Sequence, residues 1–181
     1  MYNIFKGGEV LKKEIKKITV SSIFSALIVV LIMLGTFLEI LDITVAAVCS
    51  LVVFIVLIEE GGKYPLLVYL VSSVLCLIFV SQSSATLYFV AFFGYYPILK
   101  LKLKKLSKVL RKTVCIVLFN IATLLLFLIF KAIFAMQNEP AVMYILLIIL
   151  SNVFFLCFDR LLDVFAFIYF KKLRNKIKFL K

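Results

Sequence analysis

No histidine occurs anywhere in this 181-residue chain, and only nine acidic residues stand against 21 lysines and arginines. The first absence removes imidazole as general base, proton shuttle or metal ligand. The second leaves few carboxylates for acid–base chemistry, and the pair Asp159 and Asp163 sits beside Arg160, which would neutralise it. No glycine-rich nucleotide loop is present. The four cysteines, Cys49, Cys76, Cys115 and Cys157, lie inside apolar runs without a Cys-x-x-Cys pair, so they read as small buried hydrophobes and not as a zinc site or disulfide frame. The expectation is a protein that is not an enzyme and needs no cofactor or metal.

What the chain does have is apolar length: 65% of its residues are hydrophobic, where soluble domains average roughly 45–50%. A soluble chain of this composition could not cover its core, which predicts an integral membrane protein. The formal charge of +12 is concentrated beside the apolar runs, so anionic headgroups of the inner leaflet are the expected partner and nucleic acid is not. The first apolar run is long enough to span and no small-x-small cleavage site comes after it, so it reads as a retained crossing.

A crossing takes ~20 apolar residues. Residues 18–38, 43–58, 113–135 and 141–169 satisfy this directly or nearly so. The long run from Tyr64 to Leu99 is divided by Ser81-Gln82-Ser83-Ser84, a polar turn, into 64–80 and 85–99. The prediction is an all-α bundle of six transmembrane helices forming a single membrane domain over 1–181. Orientation comes from a second absence. The loops at 39–42, 81–84 and 137–140 hold no lysine or arginine, whereas cations crowd both ends of the chain and the stretch from Lys100 to Lys112. By the positive-inside rule both termini and the central lysine loop are cytoplasmic in a multi-pass protein of the cell membrane.

Three basic segments, 10–18, 99–112 and 170–181, carry apolar residues at helical spacing: Leu11, Ile15, Ile18 and Ser22; Leu99, Leu103, Leu106 and Leu110; Phe170, Leu173, Ile177 and Leu180. Each reads as an amphipathic helix on the inner leaflet with snorkelling lysines, or as a docking surface for a partner. In "IEEGGKYP" the glycines permit a tight turn, Pro65 suits a first helical turn, and Glu59 and Glu60 are placed to pair with lysines. "FFGYYPILK" breaks at Gly94 and Pro97, marking the exit of the fourth crossing.

Polar groups inside apolar runs need a reason. Lys131 lies ~27 Å into its helix, to snorkel outward or to meet an anionic solute. Asp159, Arg160 and Asp163 read as an ion-pair lock. Asn120 and Asn152 fall at similar depth in adjacent antiparallel helices, which predicts an interhelical hydrogen bond, with a solute contact as the alternative. In "SSIFSALIVV", Ser21 with Ser25 and Ser22 with Ala26 form small-x-x-x-small pairs, for packing within the chain or against another subunit.

Six crossings, termini inside, a small-residue face early in the first crossing and polar outer loops resemble the substrate-binding S component of energy-coupling factor transporters. Ser22 and Ala26 match that family's Ala-x-x-x-Ala-type face, with serine replacing one alanine. The resemblance implies that they contact a transmembrane coupling subunit and, through it, ATPases. It also implies an outward-opening pocket for a small-molecule solute drawn from Glu39, Tyr88, Lys131, Asn138, Tyr144 and Asn152. The other reading is a structural or assembly membrane protein that binds lipids or a membrane partner. "EEGGKYPLLVY" and "FFGYYPILK" further resemble small membrane proteins of Gram-positive bacteria.

Overall fold

The computed structural model describes residues 2–38, 42–134 and 141–173, and among these the chain is all-helical with no β-strand. It divides into two compact units, Met1–Lys108 and Val109–Lys181. Three helical stretches among the described residues are long and apolar enough to cross a membrane: Glu14–Phe37, Asp42–Glu59 and Val109–Ile129. This is compatible with a membrane protein.

The first unit begins with α1, Tyr2–Leu38. No proline or glycine interrupts residues 9–34, and the hydroxyls of Thr19, Ser22 and Ser25 donate to the carbonyls four residues back at 3.0 Å each. Polar side chains thereby satisfy themselves on their own helix and leave its run unbroken. Residues 10–18 belong to α1 and run without a break into its apolar stretch. Helices α2, Asp42–Glu59, and α3, Tyr64–Phe79, come next. The turn between them uses Gly61 and Gly62 at φ of 59° and 58°, the left-handed region glycine enters without steric penalty. Pro65 stands in the first turn of α3, where its missing N–H leaves no carbonyl wanting.

The core of the unit is made by Ile28 and Ile32 of α1, Ala46, Cys49, Val53 and Val56 of α2, and Val68 and Cys76 of α3, all buried. Gly35 lets α2 come close: a Cβ there would stand 2.7 Å from a methyl of Val45.

The polar tetrad is a turn, as expected, but the apolar run beyond it is not one regular helix. α4, Ser84–Tyr88, runs into a π-helical segment, Phe89–Phe93, and after Gly94 and Tyr95 the chain resumes as α5, Tyr96–Lys102. The Gly94 N–H donates to the Phe89 carbonyl at 2.8 Å, a five-residue step. A 3₁₀ turn, Leu103–Lys105, then leads to Leu106, whose backbone is extended at φ −83° and ψ 160°. The expected amphipathic helix over 99–112 is therefore interrupted, and Leu99, Leu103, Leu106 and Leu110 do not share one helical face.

The second unit contains α6, Lys108–Phe134, and α7, Ala141–Ile168, which ends in a π-helical segment, Tyr169–Leu173. Cys115, Phe119, Ala122 and Leu126, spaced four, three and four, form the buried stripe of α6, and Phe155, Phe158 and Leu162 that of α7. Phe119 and Phe155 stack with centroids 4.7 Å apart. Residues 174–181, most of the third basic segment, lie outside the described residues.

Candidate functional site

Among the described residues, polar side chains from different helices meet at several places. In the first unit, one lies where α1 passes the α2–α3 turn. The Tyr64 hydroxyl donates to Glu14 Oε2, and Lys17 Nζ stands 3.5 Å from Glu60 Oε2 and 5.2 Å from the centroid of the Tyr64 ring. Lys17 also donates to the Glu60 carbonyl at 3.4 Å. The pairing expected for Glu60 is thus made by Lys17. Both side chains keep some solvent contact, 24% for Lys17 and 17% for Glu60, so the pair is worth roughly 0.2–1 kcal/mol. Its main effect is to fix the rotation of α1 against the turn.

At the other end of α1, the Ser84 hydroxyl donates to Asp42 Oδ2. Asp42 opens α2, where the positive end of the helix favours a carboxylate. Thr36 Oγ1 lies 2.9 Å from the Ile32 carbonyl and 3.0 Å from Ser83 Oγ. A hydroxyl has a single proton, so Thr36 donates to the carbonyl and accepts from Ser83. Ser83 is engaged in this way and gives α4 no side-chain cap. Tyr88, one turn after Ser84, is half-buried and within electrostatic reach of Asp42.

In the second unit Asn120 and Asn152 meet. Each Nδ2 donates to the other's Oδ1 at 3.0 Å. The remaining amide hydrogens go to their own helices, from Asn120 to the Ile116 carbonyl at 2.9 Å and from Asn152 to the Ile148 carbonyl at 2.8 Å. All four amide hydrogens are accounted for, which is the interhelical bond expected from the matching depths.

The residues expected to line a solute pocket fall in different parts of the chain. Glu39 and Asn138 lie outside the described residues, and Tyr144 falls in α7 with its side chain outside them. Tyr88 belongs to the first unit, and Lys131 and Asn152 to the second. Within the second unit Lys131 stands three turns past Asn120, ~16 Å of helix rise, so it is not brought to the amide pair. Lys131 is exposed in the last turn of α6, where a cation favours the carbonyl end of the helix. Of the expected ion-pair lock, Asp159 is half-buried while Arg160 and Asp163 are exposed. Among the described residues no three His, Cys, Asp or Glu side chains come together to hold a metal ion, and all four cysteines are free.

The small-residue pairs of α1 separate cleanly. Ser21 and Ser25 are buried against the rest of the unit, while Ser22 and Ala26 are exposed.

Sequence reasoning did not single out Tyr69. Its hydroxyl donates to the Val90 carbonyl in the π segment at 2.9 Å, and its ring occupies the space beside Gly94, where a Cβ would meet it at 2.4 Å. The signal available was a glycine inside an aromatic run, "FFGYY", which marks a close approach without naming what approaches. Comparison of the chain with protein-family models, curated proteins and solved structures returns no match.

Proposed function

We propose that the chain is a six-crossing protein of the bacterial cell membrane, with both termini and the central lysine loop cytoplasmic and held to anionic lipid. We further propose that it serves as the non-catalytic solute-binding subunit of an uptake transporter. The observation that supports this reading best is the division of α1 into two small-residue faces. The Ser21–Ser25 face is used for packing within the chain, and the Ser22–Ala26 face remains exposed. A second small face left over after internal packing suits close approach by a transmembrane coupling subunit. Tyr88, with the neighbouring Asp42 and Ser84, is the polar end of the first unit to which a solute site would belong.

Two measurements test the reading together. The purified protein is expected to melt at higher temperature with one class of small metabolite, and to co-purify from its native membrane with a membrane subunit and ATPases. Loss of both results retires the transport reading.

The Asn120–Asn152 pair favours a second reading. A solute would have to compete with two amide–amide bonds for Asn152, and a chain whose mid-helix polar groups satisfy each other suits a structural or assembly protein. Asn152→Ala separates the two: reduced thermal stability with solute affinity unchanged assigns the amide to packing alone.

A further inference from the structure

In a regular α-helix the Gly94 N–H would go to the Val90 carbonyl, four residues back. Here it goes to Phe89 at 2.8 Å, so the Val90 carbonyl loses the donor that α-winding would give it. The Tyr69 hydroxyl, from α3, donates to that same carbonyl at 2.9 Å. A side chain of another helix thus supplies the donor that the backbone has sent elsewhere.

Further contacts converge on this one-residue irregularity. The Tyr69 ring meets that of Phe89 at the start of the π segment and that of Tyr95 just past its end, with centroids 6.1 and 5.9 Å away. Gly94 leaves it room, since a Cβ there would stand 2.4 Å from the ring. Downstream the winding is loosely tied. Pro97 has no N–H to send back to the Phe93 carbonyl, and α5 starts afresh with the amides of Ile98 and Leu99 on the Tyr95 carbonyl, at 3.1 and 3.0 Å. A change of winding before Gly94 therefore need not break an uninterrupted ladder into α5.

Two windings compete for one amide. The π winding gives the Gly94 N–H to Phe89 and needs an outside donor for Val90; the α winding gives it to Val90 and needs none. The π turn is the rarer of the two, and a carbonyl stripped of its donor inside an apolar bundle is costly, so the winding seen here calls for compensation. We infer that the Tyr69 hydroxyl is that compensation: a latch that holds Phe89–Phe93 in its π winding, released to α-helix when α3 withdraws from the segment. The winding of the stretch that leads to the basic end of α5 is then set by the position of α3, which makes it a two-state element. All of these contacts lie within the first unit, so failure of the latch leaves the membrane and solute readings as they stand.

The test uses the full chain in detergent micelles, deuterated and labelled with nitrogen-15 and carbon-13. Scalar coupling across the hydrogen bond from the residue-94 amide nitrogen identifies the accepting carbonyl, which in the parent is expected to be Phe89. Tyr69→Phe removes the hydroxyl and keeps the ring, and the ratio of the two couplings is expected to move toward Val90 by about tenfold or more. Tyr69→Leu, which removes ring and hydroxyl together, is expected to do the same. Tyr95→Phe trims a neighbouring hydroxyl, keeps the latch and is expected to leave the coupling on Phe89. Each variant is read with its helix content matched to the parent's by circular dichroism. A coupling that stays on Phe89 in either Tyr69 variant overturns the inference, as does one that moves equally in Tyr95→Phe. A parent whose Gly94 amide already couples to Val90 overturns it as well.

Discussion

The two units solve helix packing in different ways. All six glycines of the chain lie in the first unit, and two of them admit a neighbour to the backbone: Gly35 toward Val45 and Gly94 toward Tyr69. Its polar ties along α1 sit where the helix passes the α2–α3 turn, at Glu14 and Lys17, and near its C-terminal end, at Thr36. The second unit has no glycine, so its helices are spaced by side chains, with the Phe119–Phe155 stack as spacer and a single amide pair inside the apolar run. The lesson is that the first unit resists added volume poorly and loss of a polar tie well, and the second unit the reverse.

The largest effect that would break this contrast is expected at Gly94. The ring of Tyr69 is anchored through its hydroxyl and cannot swing away freely, so Gly94→Ala is an overpacking change worth about 1–3 kcal/mol. Thermal unfolding in detergent reads the loss, and hydrogen exchange should rise in residues 42–105 while 109–173 stay as they were. Equal loss of protection in both regions would show that the units are not separate in stability.

Next is Gly62→Ala. Nothing lies within 4 Å of the added methyl, and φ is +58°, so the change isolates conformational strain of about 1–2 kcal/mol. Gly62→Asn is expected to recover part of it. A Gly62→Ala melting temperature equal to the parent's would remove the turn from the account of the first unit.

The amide pair comes third. Asn120→Ala strands one hydrogen of Asn152 and is expected to cost about 0.6–1.7 kcal/mol, with the double variant Asn120→Ala, Asn152→Ala less than additive. Strict additivity in a double-mutant cycle would mean that the pair contributes nothing as a pair. Smallest is Lys17→Met, roughly 0.2–1 kcal/mol, and the difference from the parent should shrink at high salt because the ion pair is partly exposed. A salt-independent deficit would point instead to the lost contact with the Tyr64 ring.

Much of this architecture was legible in the residues. Hydropathy located α1, α2, α3, α6 and α7, because each is an apolar run bounded by a turn residue or a charge. Depth counting found the Asn120–Asn152 bond, since two amides in antiparallel helices at one level have little else to bind. The interruption at Leu103–Ser107 was not legible: its leucines keep helical spacing, and spacing does not report whether the backbone between them is continuous. The π segment was hidden for a related reason. It is accompanied by Tyr69, from a different helix, lying beside Gly94 and donating to the Val90 carbonyl, and such contacts leave no periodic trace. For the candidate site, the depths of the two amides already paired Asn152 with Asn120, whereas nothing in the residues around Ser84 named Asp42 as its acceptor. Glu14 stands among lysines in the sequence, and nothing near it names Tyr64, fifty residues further on, as the group the fold brings to it.

The π segment Phe89–Phe93 also acts as a change of phase. Its wider turn holds about one residue more than an α-helical turn, so Gly94 is rotated by about 100° from where a regular continuation of α4 would carry it. Tyr96, which opens α5 two residues further on, is fully buried. Deleting one residue from Phe89–Phe93 would restore regular winding and swing Tyr96 and the lysines behind it onto another side of the bundle, while leaving composition and hydropathy almost untouched. In this part of the chain, length carries information that residue identity does not.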